Sequence, residues 1–417
     1  MAGSRSKGVR RRAATTRRPA ARRTTRALAR GRGASKPFDV AVVGAGVFGS
    51  WIAWTLRRAG KSVALLDAHG PGHARASSGG QTRVIRIGYG EQEIYSRWSL
   101  RSLGLWKTLA KRPGCGDLFQ KSGVLWLARG DNPLVTKTLA TLKHLKVRHE
   151  VLDATAIGRR WPQFDLGPIS WGLYEPESGF LLAYEGVQAV ARAAIDDGVT
   201  FIGEAAMPIL SAAGPVASLP TRSGGAVEAG RYVFACGPWL PRLFPDLLGR
   251  RIFTTRQEVF YLGPPPGDTR FQPVSIPVWL DFGEEIYGLP DYKGRGFKLA
   301  VDRHGPPADP ESMERVVTPE ITARVREYAG RRFPALSSAP IIGSEVCQYE
   351  NTSNGDFLID RHPAHDNVWL VGGGSGHGFK HGPAIGEYVA ERLLKGGDVD
   401  PRFSLATKAE VQHRAIY

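Results

Sequence analysis

From Phe38 to Val43 the chain is a short β-rich apolar run, Gly44 to Gly49 is a glycine turn, and Ser50 to Arg58 continues with helical character to a stop near Gly60. Ser62 to Leu66 is a second apolar run. This order predicts a compact strand, helix and strand unit, and strands apolar on both faces suit a buried parallel sheet. Further along, Val187 to Ala194 reads as helix, while Val199 to Ile202 and Tyr232 to Ala235 read as strands, the last closed by Gly237 and Pro238. Between 256 and 302 the pattern changes to short runs separated by Gly, Pro and Asp turns: Glu258 to Leu262, Val278 to Phe282, Glu285 to Leu289 and Gly296 to Val301. These predict an antiparallel sheet. Thr318 and Pro319 supply an N-cap and a first-turn proline for a helix through about Tyr328. Val368 to Val371 runs into the glycine-rich segment Gly372 to Gly378, and Pro383 to Leu394 places Ile385, Val389 and Leu393 on one helical face before Gly396.

Strand, glycine turn and helix therefore stand at both ends of the chain. The expected class is α/β, with a Rossmann-like domain assembled from residues 37–118, 178–240 and 350–417 and an inserted, mainly antiparallel α+β domain from 119–177 and 241–349. Gly44-Ala45-Gly46-Val47-Phe48-Gly49 matches G-x-G-x-x-G, and Asp67 follows at the end of the second strand. Gly44 permits the tight turn, Gly46 lets backbone approach a pyrophosphate, and Gly49 lets helix pack on strand. The helix N-terminus offers unpaired N–H groups to phosphate, and Asp67 can accept from a ribose hydroxyl. The pattern indicates a dinucleotide without separating NAD from FAD.

Composition changes the picture mainly by what it excludes. The formal charge is +17, but residues 1–36 hold 13 of the 56 Lys and Arg and no acid, leaving +4 on the remainder. A near-balanced body lacks the single-sign field that steers polyanions, so nucleic acid is not an expected partner. The segment itself is too poor in apolar residues to offset its ordering entropy and is expected to be a disordered basic tail; an organelle transit peptide is the alternative. Val40 to Leu56 is uncharged over 17 residues, short of the about 20 that a membrane span needs. Three scattered cysteines, Cys115, Cys236 and Cys347, have no metal-ligand spacing and suit a reducing, cytoplasmic compartment.

Four segments together resemble the monomeric sarcosine oxidase family of FAD-dependent amine oxidases, within the D-amino acid oxidase superfamily. They are the N-terminal unit, Gly80-Gln81-Thr82-Arg83-Val84-Ile85-Arg86, Gly296-Phe297-Lys298-Leu299, and the stretch from Val346-Cys347-Gln348-Tyr349 through Ser375-Gly376-His377-Gly378-Phe379-Lys380. The resemblance implies FAD, held covalently because Cys347 falls where the family's cysteine bonds the flavin 8-methyl carbon, a chemistry that needs a thiolate. It implies that Arg86 and Lys380 bind a substrate carboxylate, that Tyr287 closes the substrate pocket, and that Lys298 stabilises superoxide formed during reoxidation. Thr82 and Arg83 match positions lining the flavin ring, His377 and Tyr349 match positions beside flavin and substrate, and Gly376 and Gly378 belong to the cofactor-binding set. Two departures stand out: Asp302 occupies a family histidine position four residues after Lys298, and Ser78 and Gly79 replace two histidines. The expected reaction is oxidation of a small secondary or N-methyl amino acid to an imine, with O2 reduced to hydrogen peroxide, by a monomeric enzyme. The alternatives are a flavin dehydrogenase with another acceptor and, from a different class, an anionic-polymer-binding protein acting through the Arg-rich tail.

Overall fold

In the computed structural model two large sheets and one small one position the chain; residues 36–413 are described, apart from position 210. The segment read as a basic tail lies outside the described residues except for Lys36. The first sheet has the strand order Leu358–His362, His365–Gly372, Ala226–Phe234, Phe38–Val43, Val63–Leu66, Thr200–Ile202, with Ser218–Pro220 paired to Ala226–Phe234. Four of its pairings are parallel, with Val43 opposite both Leu66 and Phe234. Parallel strands need covered faces, and the helices Val47–Arg58, Ala183–Asp196 and Gly382–Lys395 provide cover, each burying an apolar stripe. The uncharged stretch from Val40 thus resolves into strand, turn and helix, and among the described residues no helix is long and apolar enough to cross a membrane.

The second sheet has eight strands, ordered Ile341–Thr352, Ile252–Leu262, Phe297–Val301, Ile286–Leu289, Val278–Asp281, Val124–Ala128, Trp171–Glu175 and Glu150–Asp153. All its pairings are antiparallel except that of Val278–Asp281 with Val124–Ala128. The helix Pro319–Arg332 packs against it, and the Thr318 hydroxyl caps it by accepting from Ile321 N–H, as the sequence predicts. A three-stranded sheet, Thr82–Ile85, Gly179–Leu182 and Phe119–Gln120, completes the fold.

Among the elements that the hydrophobic pattern does not reveal are a helix and a strand at the site. The 18-residue helix Glu93–Ala110 buries Ser96, Ser99 and Ser102 beside Tyr95, Leu103 and Trp106, so its inward stripe is half polar in sequence. The strand Ile341–Thr352 buries Gln348, Glu350, Asn351 and Thr352. The helix matters to the site. Trp106 packs edge-on against Trp51 at 5.2 Å, and its indole N–H donates to the Lys380 carbonyl at 3.1 Å. Burial of a side chain this size stabilises by roughly 4 kcal/mol, so the backbone at Lys380 is tied to the core.

Candidate active site

At the end of Phe38–Val43 the chain turns through Gly44, whose φ of +99° is open to glycine and strained for other residues. A Cβ there would lie 2.4 Å from the Ala235 carbonyl oxygen, and one on Gly49 would lie 1.8 Å from the Gly44 carbonyl oxygen. Gly46 differs. Its φ is −73°, and a Cβ would meet only the Ser78 side chain, at 3.3 Å, so the fold alone does not demand glycine there. Gly46 also begins the helix Val47–Arg58 with no capping side chain of its own and no acid in the first turn; the Ser78 hydroxyl accepts from Val47 N–H at 3.0 Å. The positive helix end therefore faces the cavity it lines, as a diphosphate requires. Asp67 lines the same cavity, but its carboxylate accepts from Ala45, His69 and Gly70 N–H at 2.8, 2.8 and 2.9 Å. It fastens the glycine turn to the second strand.

The cavity, about 370 Å³, runs from this turn past Cys236 and Gly237 to Lys298, Cys347 and Tyr349. Gly376 and Gly378 form part of its wall because larger residues would not fit: a Cβ on either would lie 2.8 Å from a ring carbon of Tyr349 or Phe48 respectively. A glycine turn with an open helix N-terminus at one end and a buried cluster of cations and rings at the other fit FAD. In that cluster Arg83 donates to the carbonyls of Ser77, Gly79 and Thr82 at 3.0, 2.7 and 2.9 Å, and its Nη2 lies 3.8 Å from Cys347 Sγ. Lys298 is 2% exposed and donates from Nζ to the Thr82 carbonyl at 2.8 Å. Burial, followed by repulsion from Arg83, pushes its ammonium down to about 7, against an opposing pull from Glu345 and Cys347.

A smaller cavity of about 70 Å³ shares Arg83, Tyr287, Tyr349 and Phe379 with the first and adds Arg86, Asp302 and Lys380. Arg86 is buried, with its guanidinium 4.1 Å from the Tyr89 ring centre and 4.7 Å from that of Trp126. Lys380 Nζ donates to the Tyr89 hydroxyl at 2.7 Å and the His377 carbonyl at 2.9 Å; burial and then Arg86 hold its ammonium well below the usual lysine range. The hydroxyls of Tyr287 and Tyr349 are hydrogen-bonded to each other, and burial pushes the Tyr287 phenol up to about 12. His377 reaches the wall of this cavity, yet its Nε2 pairs with the Gly355 carbonyl oxygen at 3.0 Å and its ring stacks on Phe357 at 4.7 Å.

Glu175 and Glu350 are among the acids that the sequence does not single out. Glu175 is buried behind Arg86 and accepts from Ile87 N–H, Gly88 N–H, Trp126 Nε1 and the Ser178 hydroxyl at 2.6, 3.1, 2.8 and 2.7 Å, fixing the loop that follows Arg86. Its only signal in sequence is an acid closing the apolar run Gly172-Leu173-Tyr174. Glu350 lies three residues beyond Cys347 on the wall of the large cavity.

Fold and site together define a flavin-dependent oxidoreductase with a cationic pocket beside the cofactor cavity. The profile of the FAD dependent oxidoreductase family matches residues 39–392. Monomeric sarcosine oxidase of Streptomyces avermitilis is 32% identical over 380 residues, covering 88% of this chain and 96% of the relative. N-methyl-L-tryptophan oxidase of Escherichia coli is 29% identical over 367 residues, covering 85% of this chain and 94% of the relative. In fold, L-proline dehydrogenase from P. horikoshii superposes with a TM-score of 0.78 at 20% identity, over 89% of this chain and 97% of that one. NikD, an amino acid oxidase of nikkomycin biosynthesis, superposes with a TM-score of 0.75 at 23% identity, over 91% and 100%. The chain belongs to the FAD dependent oxidoreductase family, and within it to the amine oxidases related to monomeric sarcosine oxidase.

Proposed function

We propose that this enzyme oxidises the C–N bond of a small secondary or N-methyl amino acid to an imine and passes the electrons to O2, forming hydrogen peroxide. The observation that carries this reading is the adjacency of two unlike cavities: a large one with a glycine turn at a helix N-terminus, and a small one lined by Arg86 and Lys380, with Arg83, Tyr287 and Tyr349 in the walls of both. FAD, when bound, supplies the hydride acceptor. The chain's own part is orientation and charge. Arg86 offers a planar guanidinium held between two rings to the substrate carboxylate, and Lys380 lies beside it as the second carboxylate ligand. Tyr287 and Tyr349, with their hydroxyls paired, form the wall between substrate and cofactor. Lys298, dry and anchored on the Thr82 carbonyl, places a positive charge where reduced oxygen species develop negative charge. Arg83 and Thr82 hold that lysine and the ring end of the cavity in place. His377 contributes through its carbonyl, which positions Lys380.

Cys347 is the proposed covalent attachment point, supported by its place on the cavity wall and by the Arg83 cation 3.8 Å from the sulfur. Gly44, Gly46, Gly49, Gly376 and Gly378 form the cofactor cradle, and Asp67 shapes it while leaving lone pairs for a ribose hydroxyl. We propose the domain division at the boundaries given above, and a monomeric cytoplasmic enzyme, in keeping with three free cysteines. Oxygen uptake with a panel of N-methyl and cyclic amino acids tests the reading: one peroxide per imine supports it, and dye reduction with negligible peroxide assigns the enzyme to the dehydrogenases.

A further inference from the structure

Glu350 is a buried acid to which nothing above gives a task. Its residue is 7% exposed, and it stands on Ile341–Thr352 three positions beyond Cys347, about 10 Å along the strand. Oε1 accepts from Gly374 N–H at 3.3 Å, with Gly373 N–H also bonded to the carboxyl. Oε2 is buried and has no hydrogen-bonding partner among the described residues. A buried carboxyl oxygen left unpaired costs about 1–3 kcal/mol, so a partner from outside the chain is called for.

The surroundings limit what that partner is. Glu350 lines the large cavity between two glycine segments: a Cβ on Gly237 would sit 3.6 Å from Oε2, and one on Gly374 would sit 3.3 Å from Oε1. Gly237 follows Ala235 and Cys236, the residues against which Gly44 of the phosphate-binding turn is packed. Glu350 thus lies between the phosphate end of the cavity and the ring end at Cys347 and Lys298. Burial lifts its carboxyl to about 7, against the pull of the two backbone N–H groups. An acid that keeps a substantial neutral fraction near pH 7 both donates and accepts, which suits a hydroxyl and would be wasted on a fully ionised phosphate.

We propose that Glu350 is a cofactor-binding residue whose unpaired Oε2 hydrogen-bonds a hydroxyl of the polyol chain that links the flavin ring to the diphosphate. The inference rests on the assignment of the large cavity to FAD, and the test separates the two. In a Cys347→Ala background, where binding is reversible, apoprotein is titrated with FAD and with FAD analogues each lacking one ribityl hydroxyl, followed by flavin fluorescence. Glu350→Ala weakens FAD binding by about 10-fold and Glu350→Gln by less than about 3-fold. For the one analogue that lacks the partner hydroxyl, Glu350→Ala and its parent bind within about 2-fold of each other. Unchanged FAD affinity in Glu350→Ala, or an equal loss for every analogue, overturns the proposal. If the Cys347→Ala parent binds no FAD, the cavity assignment fails and the proposal falls with it. Should Glu350→Ala not fold, Glu350→Leu, similar in size and without hydrogen-bonding atoms, takes its place.

Discussion

Lys298 Nζ lies 2.8 Å from the carbonyl oxygen of Thr82, a hydrogen bond that spans 216 positions of sequence and ties the eight-stranded sheet to the small sheet beside the end of the cavity lined by Cys347 and Tyr349. Among the described residues no carboxylate lies at hydrogen-bond distance from the lysine. Its charge is therefore available to a ligand, and burial sets when it is present.

The first prediction concerns that charge. Lys298→Met slows reoxidation by O2 by about 100-fold or more, because a fixed charge in a dry site is lost, and leaves anaerobic reduction by substrate nearly unchanged. The ammonium is pushed down to about 7, so it is present below that pH and lost above it. The wild-type oxygen rate then falls as pH rises through about 7, and the Met variant shows no such step. Double-mixing stopped-flow across pH checks both.

A second prediction separates two glycines of one motif. Gly44→Ala sets a Cβ 2.4 Å from the Ala235 oxygen at a φ of +99°, so the variant is destabilised by about 2 kcal/mol or more. Gly46→Ala meets only the Ser78 side chain at 3.3 Å and keeps the fold, yet it blocks the approach of a diphosphate. Thermal unfolding of the apoproteins and FAD titration should part the pair.

Arg86 supplies a third. Arg86→Ala lowers kcat/KM for an amino acid by about 100-fold, the loss of a charge-assisted, bidentate contact. The matching amine without a carboxylate has no such contact to lose and changes little. Equal losses for both substrates would assign Arg86 a structural role.

Glu350 provides a fourth, through stability. Its folded carboxyl is raised to about 7 from an ordinary value of 4.5. The contribution to stability is then full below about 4.5, is lost as pH rises to about 7, and is absent above; the span corresponds to about 3 kcal/mol. Glu350→Gln carries no such term. Urea unfolding of the apoproteins at pH 5 and pH 8 should show the variant gaining on wild type at the higher pH.

Covalent attachment is checked by colour. Acid-precipitated wild type keeps its yellow in the washed pellet, and Cys347→Ala releases it; release from wild type removes the covalent role of Cys347 while leaving the FAD cavity intact.

These residues differ in how far sequence alone exposes them. The strand, turn and helix at Phe38–Arg58 are legible because a buried parallel strand must be continuously apolar and its turn must be glycine. Lys298, Arg83 and Cys347 are recognisable as motif members, but their convergence is a property of sheet register: Lys298 pairs with Tyr261, and Cys347 pairs with Gln257 on the same strand. The strand Ile341–Thr352 is hidden because it buries polar side chains, Gln348 and Glu350 on the cavity wall and Asn351 against the Phe253 carbonyl and the Thr255 hydroxyl, which reads as a loop. The helix Glu93–Ala110 is hidden by its buried serines. Asp67 and His377 show the opposite difficulty. Each is found by pattern, and each then bonds backbone groups, which no pattern reveals.

The central claim, an amino acid oxidase with FAD in the large cavity and its substrate beside Arg86, is tested most directly by one anaerobic experiment. The purified yellow protein is mixed with an excess of an N-methyl amino acid in the absence of oxygen, its visible spectrum is followed, and air is then admitted. The account predicts bleaching of the flavin bands, their return on aeration, and one hydrogen peroxide per flavin reoxidised. A spectrum unmoved by every N-methyl and cyclic amino acid tried, or a bleached flavin that air does not restore, would contradict it.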